Sequence, residues 1–109
     1  MTALDTFDAF VVEVSSPGGA SLVRVGGEID CYTAPTLQQR LFDLIDAGER
    51  QIVVDLAGVS FMDSQGLAAL VRSVLRLRPL DGKLVLRAPR PSVSKIVEIT
   101  GLGQLLPAG

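Results

Sequence analysis

The sequence predicts an α/β domain: a mixed sheet of four or five strands with helices packed mainly on one face. Three observations carry that prediction. Short apolar runs rich in β-branched residues alternate with segments of helical apolar period. The first two such runs are joined by a Ser-Ser-Pro-Gly-Gly cluster at 15–19, the composition of a hairpin turn. The later runs are each separated by a helix-length segment, so they must lie parallel with right-handed crossovers.

Taken in order, residues 9–14 (AFVVEV) and 20–25 (ASLVRV) read as the strands of the hairpin, after which Gly26 and Gly27 loosen the chain into a loop carrying Glu28 and Asp30. Thr33 suits a helix N-cap and Pro35 the first turn. Leu37, Leu41, Leu44 and Ile45 then form one apolar helix face, closed by Gly48. Residues 51–56 (QIVVDL) read as a central strand buried on both faces, and 57–62 as an apolar crossover loop. A second helix is expected over 64–78, with Leu67, Leu70, Val71, Val74 and Leu75 facing the core and Pro79 ending it. Residues 83–88 (KLVLRA) give the next strand. Residues 92–100 give a short helix with Val93, Ile96 and Val97 inward, and the tail GQLLPAG offers at most an edge strand.

Composition narrows the function. The 109 residues suit one domain, 1–109, and 48% of them are hydrophobic, enough for a core. With a net charge of −2 and no basic block, direct nucleic-acid binding is not expected. No apolar run approaches membrane-spanning length, and the N-terminus lacks the basic start of a signal peptide, so a cytoplasmic protein is expected. A single cysteine, Cys31, fits a reducing compartment, and no Lys or Arg adjoins it to make it a redox sensor. With no histidine, the Ser–His–Asp and Cys–His triads, histidine phosphotransfer and most zinc chemistry are excluded. For the same reason no metal is expected, and no cofactor, since Gly26–Gly27 is not a nucleotide-binding G-x-G-x-x-G. Arg72, Arg76 and Arg78 read as a solvated face of the second helix.

The stretch VVDLAGVSFMDSQGLAAL (53–70) holds the chemistry. It places the hydroxyl of Ser64 at the mouth of a helix beside Asp63, whose carboxylate suits the N-cap and can accept from the N–H of Gln65 or Gly66. Such a hydroxyl is either a plain structural feature of a helix start or a regulated phosphate acceptor. Gly66, lacking a side chain, would leave the approach to it clear. For Phe61 and Met62 core burial is the default, but an exposed Met62 would anchor a partner.

This stretch resembles the regulatory segment of the STAS-domain anti-sigma factor antagonists, whose pattern D-L-x-x-V/L-x-F-M/I-D-S-x-G-L is met by Asp55, Leu56, Val59, Phe61, Met62, Asp63, Ser64, Gly66 and Leu67. Upstream, GEIDCYTAPTL (27–37) is similar to the family's G-E-L/I-D-x-x-T-A segment, with Gly27, Glu28, Asp30, Thr33 and Ala34 in place. The resemblance implies a single-domain STAS-like fold and a non-enzymatic regulator. Its phosphoacceptor would be Ser64, with Asp63, Gly66, Asp30, Glu28 and Met62 contacting the partner. The unmodified protein would bind an anti-sigma factor serine kinase and so release the sigma factor; phosphorylation would end binding, and a phosphoserine phosphatase would restore it. One departure is Gln65, where many members carry a second Ser or Thr; this removes an alternative acceptor. Glu28 and Asp30 read equally as partner contacts or as loop solvation and capping. Two rival readings remain: a STAS subunit of a stress-signalling complex or lipid-transport ATPase, and a small enzyme using Asp30 and Asp63 as a carboxylate pair, which needs a deep pocket and a raised carboxyl pKa.

Overall fold

The computed structural model describes residues 9–106. Strand β1 (Val11–Ser15) and β2 (Ser21–Ile29) form the expected antiparallel hairpin, with Val12 opposite Val25 and Glu13 opposite Arg24. Helix α1 (Ala34–Asp46) follows, then β3 (Gln51–Met62), α2 (Ser64–Leu77), β4 (Lys83–Arg87) and α3 (Pro91–Thr100). The sheet has four strands in the spatial order β1-β2-β3-β4, and β2, β3 and β4 run parallel, as the crossover helices require. Among the described residues no fifth strand forms. Leu102–Gln104 make a 3-10 turn instead, Leu106 is buried in the core, and the last three residues of the tail lie outside the described residues.

Alternation along the strands places Val23 and Val25 of β2, Ile52, Val54 and Leu56 of β3, and Leu84 and Leu86 of β4 on one face of the sheet. They meet Leu37, Leu41 and Ile45 of α1, Leu67, Leu70, Val74 and Leu77 of α2, and Val93 of α3 in a single core. The expectation of a central strand buried on both faces is corrected accordingly: Val53 and Asp55, on the other face of β3, are only half-buried. Glycine closes α1 as read from the sequence, Gly48 following the C-cap Ala47 with φ +105°, a conformation that costs glycine nothing. Arg76 ties α2 to α1, bonding both oxygens of Asp46 at 2.9 and 3.0 Å and lying 4.4 Å from the centre of the Phe42 ring. Arg72 donates to Gln38 across the same seam; Arg72, Arg76 and Arg78 are all exposed, as read from the sequence, and the first two also tie the helices together.

Two strands are longer than expected. β2 continues through Gly26 and Gly27 to Ile29, so Glu28 lies in a strand rather than in a loop. β3 continues through the expected loop 57–62. The reason is visible in the register. Arg24 pairs with Asp55 but Gly26 with Gly58, and Gly27 pairs with Val59 but Glu28 with Phe61. Each step inserts an extra β3 residue, a bulge that reverses which face the following residues take. Leu56, Val59 and Met62 therefore all point into the core at intervals of three, a spacing that conceals a strand. Along α2 the buried stripe is Leu67, Leu70, Val74 and Leu77, with small Ala69 and Ser73 beside it. Leu75, expected inside, is half exposed, and Val71 only half-buried.

Candidate functional site

The site forms where β2 and β3 end together. The N–H of Asp63 donates to the carbonyl of Ile29 at 3.0 Å, fixing the start of α2 against the end of β2. Asp63 has extended backbone and is the N-cap, its Oδ1 accepting from the N–H of Gln65 at 2.8 Å and of Gly66 at 3.2 Å. Since Asp63 serves the first turn, the Ser64 hydroxyl is not needed for capping. Ser64 occupies the first helical position, is exposed, and has no hydrogen-bond partner for its side chain among the described residues.

Gly66 and Met62 require correction as partner contacts. Both are buried. A Cβ on Gly66 would stand 2.6 Å from Cγ2 of Ile29 and 2.8 Å from Cγ of Met62. The absent side chain therefore lets α2 seat against the strand ends, rather than opening a path to Ser64. Met62 is the last residue of β3 and, after the second bulge, points inward. Phe61 points out instead and is 46% exposed, which makes it the apolar side chain available to a partner. It pairs in register with exposed Glu28, and Tyr32, 86% exposed, stands in the adjoining loop. Neither aromatic was expected at the site. Periodicity could not mark Phe61, because the bulges hide the phase of β3.

The loop after β2 is held by its own groups. Oδ1 of Asp30 accepts from the N–H of Tyr32 at 2.9 Å and of Thr33 at 3.1 Å, and the N–H of Asp30 donates to Oγ1 of Thr33 at 2.9 Å. Thr33 occupies the N-cap position of α1, but its hydroxyl bonds the carbonyl of Glu28 at 2.8 Å rather than the first turn of the helix. The N–H groups of Tyr32 and Thr33 hold the Asp30 carboxyl below its ordinary value of 3.8. A general acid needs a shift in the other direction, so Asp30 serves as a loop clamp. Cys31 is exposed beside it.

On the other side of Ser64 an apolar groove of about 260 Å³ runs between α2 and the end of α3, lined by Leu67, Ala68, Val71, Thr100 and Leu102. It explains why Val71 is only half-buried. Among the described residues no group of acidic or cysteine side chains could hold a metal ion, and no helix is long and apolar enough to cross a membrane.

The STAS-domain profile matches residues 11–108. The anti-sigma-B factor antagonist of Staphylococcus aureus is 39% identical over 84 residues, covering 77% of this chain and 78% of that protein. This chain belongs to the STAS-domain family of anti-sigma factor antagonists. The crystal structure of an anti-sigma factor antagonist from Mycobacterium paratuberculosis superposes with a TM-score of 0.84 at 30% identity, covering 92% of this chain and 85% of that one. The phosphorylated form of the Bacillus cell fate determinant SpoIIAA, at 24% identity with 93% of this chain and 91% of that one covered, shares the fold with a TM-score of 0.71. Membership makes this STAS domain a regulator rather than an enzyme.

Proposed function

We propose that this antagonist works by partner switching, with Ser64 as the phosphoacceptor. The unmodified protein binds an anti-sigma factor serine kinase and frees the sigma factor; the phosphorylated protein lets go, and a phosphoserine phosphatase resets it. The observation that carries this reading is the exposed Ser64 hydroxyl, left without a structural task because Asp63 caps the helix. A phosphorylated form of SpoIIAA, a protein of the same fold, supports it.

The partner surface combines Ser64 and Gln65 with exposed Phe61 and Glu28, the Asp30 loop with Tyr32, and the groove between α2 and α3. Phe61 and the groove supply apolar contact, and Asp30 keeps the loop rigid so that little ordering entropy is spent on docking. A phosphate brings about −1.5 to −2 charges to the N-terminus of α2, which tolerates an anion in water. Enclosed by a partner next to the Asp63 carboxylate, the same group loses solvation and meets like charge, at a cost of about 2–5 kcal/mol. At tenfold per ~1.4 kcal/mol, that is enough to release the complex.

The test is binding to candidate anti-sigma factor kinases in the presence of ATP, with wild type, Ser64→Ala and Ser64→Asp side by side. The alanine variant is expected to stay bound, wild type to dissociate as it is modified, and the aspartate variant to bind weakly. Equal behaviour of all three contradicts the proposal. Retrieval of a transporter ATPase or a stress-signalling scaffold in place of a kinase would reassign the partner.

A further inference from the structure

The sheet face opposite the helices carries an ordered row of charge. The strand registers align Glu13, Arg24, Asp55 and Arg87 straight across β1, β2, β3 and β4, so the signs run minus, plus, minus, plus. Glu13, Arg24 and Arg87 are exposed and Asp55 is half-buried, with Arg87 Nε 4.0 Å from Asp55 Oδ2. Two residues away along each strand, on the same face, lies a second row: exposed Ser15, buried Leu22 and half-buried Val53 and Val85.

This order is self-complementary under one symmetry operation. A two-fold axis parallel to the strands, midway between two stacked sheets, reverses the row. It sets Glu13 against Arg87 of the second copy and Arg24 against Asp55 of the second copy, and each of these pairs occurs twice. The same axis sets Leu22 against Val53. A two-fold axis across the strands would instead face every charge with its own kind. We propose that the open sheet face is a self-association surface, on which a second copy of this chain stacks with parallel strands.

The expected complex is transient. Five residues of rise across four strand spacings give a flat footprint of roughly 300 Å² per copy, and even with side-chain relief the total stays below the ~1,200 Å² that marks a stable interface. Its pairs join exposed Arg24 to half-buried Asp55 and exposed Glu13 to exposed Arg87, so salt weakens it. The strands of both copies point the same way, so both copies present Ser64 at the same end of the pair, beyond the charged row. Two such sites on one particle give avidity toward a partner that is itself paired.

Sedimentation equilibrium of the full chain, at about 0.05 M and about 0.5 M salt, tests this. Wild type should show a concentration-dependent dimer that weakens at high salt. Arg24→Glu faces Asp55 with like charge twice and should raise the dimer dissociation constant about tenfold or more. Adding Asp55→Arg restores opposite signs and should recover most of the loss. Arg87→Glu, at the exposed sheet edge, gives the same reading through Glu13 if Arg24→Glu does not fold. Wild type monomeric at every concentration in low salt overturns the proposal, as does dimerisation that is unchanged in the single variants or unrecovered in the double variant.

Discussion

Replacing Gly66 with alanine separates a packing role from an access role by the sign of one number. The new methyl would lie 2.6 Å from Ile29 Cγ2 and 2.8 Å from Met62 Cγ. Neither neighbour can simply swing away: Cγ2 is fixed to the branched carbon of a side chain that is 0% exposed, and Cγ lies mid-chain in a Met that is 3% exposed. Forcing a methyl into such a site costs about 1–3 kcal/mol. Alanine returns at most ~1 kcal/mol through helix propensity, and less this close to the helix start. The net expectation is a loss of about 1–2 kcal/mol, a fall of roughly half to one molar in the urea midpoint. Equilibrium urea unfolding followed by circular dichroism measures it. If Gly66 served only to clear the approach to Ser64, propensity alone would act and the midpoint would rise. A midpoint unchanged or raised refutes the close seating of α2 on the strand ends.

Three further outcomes are expected. Asp63→Ala removes the acceptor for two N–H groups of α2 and should cost about 0.5–2 kcal/mol in urea unfolding; Asp63→Asn should retain most of the cap, and a loss as large as that of alanine would contradict the capping role. Phe61→Ala should weaken kinase binding by about 1–2 kcal/mol in calorimetry while barely moving the urea midpoint, since the ring is 46% exposed; unchanged affinity would remove Phe61 from the interface. The Asp30 carboxyl is held below its ordinary 3.8 by the N–H groups of Tyr32 and Thr33, so its stabilising effect is fully present above that value and disappears as pH falls through the lower folded value. Urea midpoints of wild type should therefore converge on those of Asp30→Asn below about pH 4, and a gap that widens on acidification would contradict the assigned sign.

The elements that follow one clean period were readable from the sequence. The α1 stripe at Leu37, Leu41 and Ile45 holds, as does the Asp63 cap followed by an exposed Ser64, because capping chemistry is local and needs no tertiary information. Residues 57–62 were not readable: two bulges reset the phase of β3, and a bulge depends on the partner strand rather than on residue type. For the same reason core burial, the default for both Phe61 and Met62, holds for Met62 and fails for Phe61. Gly66 was found for its position but misread in purpose, since the obstruction it avoids comes from Ile29, 37 residues earlier in the chain. Leu75 is half exposed while Leu77, not assigned from the sequence, is buried: each residue turns the helix by about 100°, and only the packing partner fixes which side chains face inward.

Calorimetric titration of one anti-sigma factor kinase with unmodified and with stoichiometrically Ser64-phosphorylated protein bears most directly on the switch. The modified form should bind at least about thirtyfold more weakly, the equivalent of ~2 kcal/mol. Equal or tighter binding of the modified form would contradict the account.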